Sequence, residues 1–232
     1  MWYARERDSG QSVRANPGIQ AVCPGCGEQV IAKCGELVTW HFAHRSNHDC
    51  DRWSEPESEW HQGWKRLAPV ERCEVVIGPH RADIVSPTGT VVELQHSSIS
   101  TQEIRERETF YRDMVWLFDL RECEDRIEER RNGFFIWKHA RQSVLSATKP
   151  LYFDLGDAGS DILCIRKVLP PKEKTWEFNG EVFHDGWLPR AFLGTWIPEQ
   201  AFIERYIADP AVIPQNEPQL GLFDSPGEAR SG

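Results

Sequence analysis

The first fifty residues carry an unusual density of cysteine and histidine, and this feature limits how the chain folds more than any other. Four of the seven cysteines and three of the eight histidines lie there: Cys23, Cys26, Cys34, Cys50, His41, His44 and His48. An odd cysteine count concentrated in one segment is typical of metal ligation in a reducing compartment, not of disulfides. We therefore expect a metal site in this segment and ordinary buried thiols at the remaining cysteines.

Two tight pairs in this segment predict the ligands. Cys23-Pro-Gly-Cys26 is a knuckle that turns both thiolates toward one ion, and His41-Phe-Ala-His44 follows it along the chain. Two thiolates and two imidazoles complete the closed tetrahedral shell of a structural Zn²⁺. The alternative ligands are Cys34, His48 and Cys50.

Length and composition predict one main domain and a small module. The 232 residues are 40 % hydrophobic and 27 % charged, which excludes a wholly disordered or collagenous chain. No stretch approaches the roughly 20 apolar residues of a membrane span. Since the N-terminus also lacks an apolar signal core, we expect a cytoplasmic protein without a membrane partner. The expected divisions are a zinc-binding module at 1–52, a core domain at 53–170, an extension packed on that core at 171–207 and a flexible tail at 208–232.

The middle of the chain alternates helical and strand patterns, which predicts a mixed α/β (α+β) fold. A turn signal at Ser86-Pro-Thr-Gly89 joins two strands into a hairpin, and Ser100-Thr-Gln-Glu103 is a capping box that opens a helix. The predicted helices are 55–68, 100–113 and 139–147, the predicted strands are 73–77, 84–85, 91–95, 114–120, 134–137 and 151–155, and the charged residues 121–131 form a solvated helix or a loop.

The hairpin carries two carboxylates that fit a metal site. Glu93 and Gln95 lie two residues apart on one strand, so they project to the same face. With the turn centred on 86–89, Asp83 lies opposite Glu93, at the spacing of about 5 Å that facing strand positions have. Two carboxylates that close, together with the carbonyl of Leu94, are suited to Mg²⁺ or Mn²⁺. The alternative is two exposed carboxylates on a strand face.

The helices on either side of the hairpin carry further polar candidates. Glu57, His61 and Lys65 recur every four residues and share one helix face, so they either extend the metal site or form a solvated face. The net charge of −9 argues against binding nucleic acid through bulk charge. A local basic face therefore has to supply any phosphate contacts. The candidates for that face are Arg81, Ser97, Arg105, Arg107 and Tyr111.

These motifs occur together, in order, in one known family. The run Cys-Pro-Gly-Cys, His-Phe-Ala-His, Glu-Ser-Glu-Trp-His, His-Arg-Ala-Asp-Ile and Val-Glu-Leu-Gln-His-Ser-Ser closely resembles the competence-protein CoiA-like family. The match covers residues 20–120 well and 130–170 more loosely. The resemblance implies a small zinc-ribbon-like module followed by a restriction-endonuclease-like core of the PD-(D/E)xK superfamily, which is a class of metal-dependent DNA nucleases.

The resemblance also implies roles for individual residues. Asp83 and Glu93 become the metal-binding carboxylates, Glu57 the acid of the first helix, and His61 and Lys65 the remaining members of the helix motif. Gln95 stands where the superfamily has lysine. Because glutamine supplies no positive charge, that charge has to come from Lys65, Arg81 or a second metal ion. The departure also leaves open a second reading, a DNA-binding adaptor whose nuclease site is degenerate.

A short motif in the tail suggests a protein partner. Gln219, Leu220, Leu222 and Phe223 resemble the pentapeptide by which bacterial DNA-processing proteins dock on the sliding clamp. A flexible tail can present Leu222 and Phe223 to an apolar pocket on such a partner. The alternative is that these apolar side chains pack back onto the domain.

Overall fold

A computed structural model describes residues 1–36, 39–45, 50–156, 161–170, 175–178, 181–184 and 190–208. Within these residues the chain forms a small N-terminal sheet, a large mixed sheet and a separate two-stranded ribbon. Three short α-helices cover the large sheet. The predicted mixed α+β class with a small Cys/His-rich N-terminal module is confirmed.

The N-terminal sheet has five antiparallel strands in the order β2-β1-β3-β4-β5. The strands are β1 (Tyr3–Glu6), β2 (Ser12–Arg14), β3 (Ala21–Val22), β4 (Gln29–Lys33) and β5 (His41–His44). Their core contains few large apolar side chains, mainly Val30 and Phe42, and the buried Cys23 belongs to it. A core this small fits a module that a metal ion stabilises.

The large sheet has nine strands in the order β10-β11-β16-β13-β12-β9-β8-β7-β6. Its strands are β6 (Cys73–Ile77), β7 (His80–Val85), β8 (Val91–Gln95), β9 (Met114–Asp119), β10 (Ile127–Arg131), β11 (Phe134–Trp137), β12 (Leu151–Asp154), β13 (Asp161–Val168) and β16 (Arg190–Pro198). β14 (Thr175–Phe178) and β15 (Glu181–His184) form the ribbon. The pairs β8–β9 and β9–β12 are parallel, and the other pairs are antiparallel.

The helices bury both faces of the sheet centre. α2 (Thr101–Tyr111) joins the parallel strands β8 and β9, as such a crossover requires. It packs on one face through Ile104. α1 (Glu59–Lys65) and α3 (Glu199–Tyr206) pack on the other face through Trp60, Trp64 and Phe202. β8 and β9 are consequently buried along their whole length, as strands covered on both sides are.

Several predicted elements agree with the structure. The hairpin forms between β7 and β8 with Ile84 opposite Val92. The N-cap half of the capping box forms, because the Ser100 side chain accepts a hydrogen bond from the Glu103 backbone N–H at 3.1 Å, while the Glu103 carboxylate bonds to Arg107. The predicted strands at 114–120, 134–137 and 151–155 correspond to β9, β11 and β12.

Other predicted elements differ from the structure. The predicted helix 55–68 is shortened to α1, because Ser58 caps it and residues 55–57 stay extended. Residues 121–131 split into a 3₁₀ helix (Arg121–Arg126) and the edge strand β10. Residues 139–147 hold only a 3₁₀ turn at Val144–Ser146. A further 3₁₀ turn spans Val70–Arg72.

Candidate metal centre and carboxylate cavity

Four side chains of the N-terminal module converge on one point. The ligand atoms of Cys23, Cys26, His44 and Cys50 (the Cys3His cluster) all lie within 4.8 Å of one another. Cys23 Sγ is 3.5 Å from Cys50 Sγ, and Cys26 Sγ is 3.3 Å from His44 Nε2. Three sulfur ligands and one nitrogen ligand are a usual set for a structural Zn²⁺, so the cluster could bind zinc.

The fourth member of the cluster is Cys50 and not the predicted ligand His41. His41 and His44 lie three residues apart on strand β5, so their side chains project to opposite faces. His41 instead directs its Nδ1 to the carbonyl of Thr39, at 2.7 Å. The H-x2-H spacing suits a helical turn, but on a strand it can supply only one ligand to a site.

The geometry also bears on the alternative ligands. Cys50 joins the cluster, whereas Cys34 packs against the small core and is not part of the cluster. His48 lies outside the described residues. Burial and the neighbouring thiols of Cys23 and Cys26 raise the pKa of Cys50 to about 12. Such crowding of thiols favours a bound divalent cation, which holds coordinated sulfurs in the thiolate form.

A second polar site lies under helix α1, against the β7–β8 hairpin. It is an enclosed cavity of about 30 Å³, which has room for one or two waters or for a cation. Its lining includes five carboxylates and three cationic side chains, a formal excess of two negative charges. These residues of the carboxylate cavity are Glu55, Glu57, Glu74, Asp83, Glu93, Lys65, Arg81 and Arg107, with His61 beside them.

Lys65 is the central cation of the cavity. Its Nζ lies 3.1 Å from Asp83, 3.2 Å from Glu74 and 3.2 Å from Glu57, and its side chain is 2 % exposed. Burial alone would lower the pKa of Lys65, but these three carboxylates raise it well above its ordinary value. Lys65 is therefore a permanent positive charge inside the cavity.

The two hairpin carboxylates lie side by side. Ile84 pairs with Val92. One residue further along the same antiparallel register, Asp83 lies opposite Glu93. The Leu94 backbone N–H donates to Asp83 Oδ2 at 3.0 Å. Although burial works against ionisation, Lys65, His61 and this N–H lower the pKa of Asp83. Asp83 is therefore ionised at neutral pH.

Glu93 is the least compensated group of the cavity. Arg107 Nη1 donates to its Oε2 at 2.6 Å. Its other oxygen, Oε1, is buried and has no hydrogen-bond partner among the residues that the structure describes. Burial, followed by the charge of Asp83, raises the pKa of Glu93 to about 7 in spite of Arg107. A buried carboxylate oxygen without a partner is costly, and it is suited to a cation.

His61 is held between α1 and the hairpin. Its Nδ1 lies 2.7 Å from Ser58 Oγ, and its Nε2 lies 3.2 Å from the carbonyl oxygen of Leu94 and 3.7 Å from Glu55. Burial, together with Lys65, lowers the pKa of His61. The ring is therefore neutral near pH 7, and its Nε2–H is the group that faces the Leu94 carbonyl.

Residues 12–52 match the family described as competence protein CoiA, N-terminal domain. All four members of the Cys3His cluster lie within this match. No curated protein and no solved structure matches the chain significantly. The nuclease core that the resemblance implies is therefore outside what the family match covers.

The N-terminal sheet is in direct contact with the part of the chain that carries the carboxylate cavity. Glu74 accepts hydrogen bonds from the backbone N–H groups of Trp2 and Tyr3, at 2.8 and 2.6 Å. Burial would raise the pKa of Glu74, but Lys65 and these N–H groups lower it to about 2. Glu74 also has a positive φ of 53°, which is uncommon for residues other than glycine.

Gln95 does not line the carboxylate cavity. It is buried, and its Nε2 donates to the Ser97 carbonyl at 3.1 Å. The positive charge that a lysine would have brought from this position is present instead on Lys65, which touches Asp83. Glu57 precedes α1 but still reaches Lys65.

The predicted phosphate-binding residues separate into two groups. Arg105 lies on an open groove beside α2, with Arg52 and Arg112 nearby, and the Ser97 backbone N–H donates to Glu55. Three others are directed inward: Arg81 lines the cavity, and Arg107 and Tyr111 are buried.

The burial of Arg107 corrects its predicted role. Its guanidinium binds Glu93, Glu103 and the Trp53 carbonyl, so it positions a carboxylate instead of contacting phosphate. The Tyr111 hydroxyl is buried as well and has no partner among the described residues. It is not available to a nucleic acid at the surface.

Sequence reasoning missed Glu74, Glu55, Asp51 and His96. Glu74 was detectable, because a lone acid within the apolar strand Cys73–Ile77 requires a buried partner. His96 pairs its Nδ1 with Asp119 at 2.8 Å, and its ring lies 6.1 Å from that of His61. The position of His96 next to Gln95 is the only signal the sequence offers.

The tail motif of Gln219, Leu220, Leu222 and Phe223 lies outside the described residues. All seven cysteines are within them and are free thiols. No helix of the described chain is both long and apolar enough to cross a membrane.

Proposed function

We propose that the protein is a metal-dependent nuclease that hydrolyses phosphodiester bonds in DNA. The observation that carries the proposal is the buried Glu93 Oε1, which has no hydrogen-bond partner within the described part of the chain and lies beside the ionised Asp83. The carboxylate excess of the cavity and its small volume also suit a divalent cation. These features fit the nuclease core that the resemblance implies.

The residues present fit Mg²⁺ or Mn²⁺. Asp83, Glu93 and the Leu94 carbonyl are hard oxygen ligands of the kind these ions take. A divalent cation held by these ligands would lower the pKa of a bound water and would offset negative charge on the phosphate. Glu93 would give up its proton on binding, because its pKa of about 7 leaves it partly protonated at neutral pH.

The other cavity residues prepare this site. Lys65 keeps Asp83 ionised and supplies the positive charge that Gln95 lacks. Arg107 fixes the orientation of Glu93 through Oε2 and leaves Oε1 for a ligand. His61 donates toward the Leu94 carbonyl and holds it in place. The Cys3His cluster has a structural part, with Zn²⁺ stabilising the N-terminal sheet.

The test is cleavage of circular single-stranded and circular double-stranded DNA with Mg²⁺, Mn²⁺ or EDTA. We expect cleavage only with a divalent cation, and at least a hundredfold loss in Asp83→Asn and Glu93→Gln, since the loss of a metal ligand typically removes activity. Glu108→Gln is the matched control, because Glu108 is a buried carboxylate that binds Thr148 and Lys149 away from the cavity. Full activity in both cavity variants would overturn the assignment.

A second candidate function is a DNA-binding adaptor without cleavage. It is favoured by the fact that both hairpin carboxylates already have cationic partners, Asp83 with Lys65 and Glu93 with Arg107, and by Gln95. The two candidates differ in the same assay. An adaptor binds DNA by fluorescence anisotropy and leaves both circles intact with every metal ion.

We also propose a cytoplasmic setting and recruitment to the DNA sliding clamp through residues 219–223. The free thiols are in keeping with a reducing compartment. Deleting residues 219–223 should abolish binding to a purified clamp in surface plasmon resonance. Equal affinity of the deleted and full chains would show that the motif is coincidental.

A further inference from the structure

The Cys3His cluster and the carboxylate cavity are joined by one short stretch of chain. Residues 50–57 (the linking segment) begin at Cys50, a member of the cluster. They end at Glu57, which binds Lys65. Four residues of the segment line the cavity, namely Trp53, Ser54, Glu55 and Glu57. The position of Cys50 in the module therefore affects the position of the residues that form one wall of the cavity.

Asp51 fixes the start of the linking segment to the hairpin. Its Oδ2 accepts from the Arg81 backbone N–H at 2.7 Å, and its Oδ1 lies 2.8 Å from His80 Nδ1. Oδ1 also accepts from the Trp53 N–H at 3.0 Å. Asp51 is 4 % exposed, so these charge-assisted bonds are made out of contact with water, where they are strong.

The contacts continue from Asp51 to the least compensated carboxylate. The Trp53 ring stacks on His80 with ring centres 3.3 Å apart. The Trp53 carbonyl accepts from Arg107 Nη2 at 2.7 Å, and Arg107 Nη1 holds Glu93 Oε2 at 2.6 Å. A displacement of Trp53 therefore changes the orientation of Arg107 and, through it, of Glu93.

We propose that Asp51 is a positioning residue through which the Cys3His cluster sets the geometry of the Glu93 site. The cluster holds Cys50 in place, and Asp51 attaches the linking segment to β7. The contact between Trp53 and Arg107 then determines the orientation of Glu93. This inference rests on the proposed metal site at Asp83 and Glu93. It gives the N-terminal module a part in metal binding at the cavity, beyond stabilising its own fold.

The test is Asp51→Asn in the full, zinc-loaded chain, with Mn²⁺ as the probe. Asparagine keeps the shape of the side chain but cannot accept at both positions, so one of the bonds to His80, Arg81 or Trp53 is lost. We expect one zinc per chain, as in the wild type, and a rise of about tenfold in the Mn²⁺ dissociation constant, the usual size of an effect on metal affinity from outside the ligand set. Titration calorimetry measures the dissociation constant, and elemental analysis measures zinc.

Glu108→Gln is the matched control. Glu108 is also buried and also accepts from backbone N–H groups, those of Thr148 and Lys149. Its remaining bonds go to the side chains of Trp116 and Thr148, which lie outside the linking segment. We expect it to lower the melting temperature and to leave the Mn²⁺ dissociation constant unchanged. Equal Mn²⁺ affinities in Asp51→Asn and the wild type would overturn the inference, and so would equal weakening in both variants.

A second measurement keeps the inference separate from the proposed function. The side-chain N–H signals of Arg107 in a ¹⁵N NMR spectrum report its bonds to Trp53 and Glu93 without any added Mn²⁺. We expect faster exchange of these protons with water in Asp51→Asn and in wild-type protein stripped of zinc by a chelator. If the wild type binds no Mn²⁺, the proposed metal site is wrong, but the Arg107 signals still test whether the Cys3His cluster influences Arg107. Unchanged proton exchange in both samples would disprove that influence.

Discussion

The Cys3His cluster and the carboxylate cavity differ in how the negative charges of their side chains are compensated. In the cluster, four ligand atoms lie within 4.8 Å of one another. Burial, followed by the neighbouring thiols of Cys23 and Cys26, raises the pKa of Cys50 to about 12. In the cavity, Lys65 and Arg107 separate the carboxylates and compensate much of their charge. Among the described residues, no other group of three or more cysteine, histidine or acidic ligand atoms is as close as the cluster.

This difference fits the proposal that the cluster holds a permanent ion and the cavity an exchangeable one. A structural zinc is part of the fold, so its ligands can be arranged without internal counter-charges. A cavity that exchanges its cation has to remain folded without it, and buried carboxylates then need cationic partners. Five predictions, in order of decreasing effect, test this contrast.

The largest effect is expected from the cluster. Cys23→Ser or Cys50→Ser should abolish stoichiometric zinc binding and unfold the N-terminal sheet, because zinc contributes of the order of 10 kcal/mol to such modules. Zinc content and the fraction of folded module, measured by elemental analysis and NMR, check this. Cys34→Ser and His41→Ala are matched controls outside the cluster and should retain zinc. Loss of zinc in His41→Ala alone would restore the ligand set expected from the sequence.

In the cavity the largest effect should come from Lys65. Lys65→Met leaves Glu57, Glu74 and Asp83 without their shared cation, and such a loss typically costs about 3–5 kcal/mol. The free energy of unfolding in urea measures it. A buried lysine without such partners could be replaced at little cost. If Lys65→Met lowers the free energy of unfolding by less than about 1 kcal/mol, the three contacts do not stabilise the fold.

Glu93 gives the cavity a pH dependence of its own. Its pKa is raised from 4.5 to about 7, so the unfolded chain releases this proton at lower pH than the folded chain. The contribution of Glu93 to stability is therefore full below pH 4.5 and is lost as pH rises through 7, a change of about 3 kcal/mol. Glu93→Gln should remove this part of the pH dependence of urea unfolding.

The same titration should appear in metal binding. Because a cation competes with the proton on Glu93, Mn²⁺ affinity of the wild type should rise between pH 5 and 8, and it should level off above pH 8. A pH-independent affinity would mean that the ion does not contact Glu93.

The smallest effect compares two helix caps. Ser58→Ala and Ser100→Ala each remove a side chain that accepts an N-cap hydrogen bond, which costs about 1 kcal/mol in either helix. Only Ser58 also lies against His61 Nδ1, at 2.7 Å. The proton NMR signals of the His61 ring should therefore shift in Ser58→Ala and remain in place in Ser100→Ala. Identical spectra would show that Ser58 does not hold the ring.

Much of the site was predictable because its elements are local. The hairpin follows from Ser86–Gly89 between two apolar strands, and the opposition of Asp83 and Glu93 follows from that turn. The i,i+4 spacing of His61 and Lys65 gives them one helix face. Two predictions failed because a residue spacing was interpreted without its secondary structure. The H-x2-H pair lies on strand β5 and not on a helix, and Arg107 lies on the buried side of α2.

The sequence by itself determined the zinc-type module, the hairpin with its two carboxylates and the mixed α+β class, because short-range spacing and turn chemistry decide these features. Only the tertiary structure decided which cysteine completes the cluster, and that Glu74 and Arg107 are the partners of the cavity. It also decided that Asp51 connects the cluster to the cavity. The physical reason is burial: a charged side chain removed from water must find a partner wherever the fold brings one, and those partners come from distant parts of the chain.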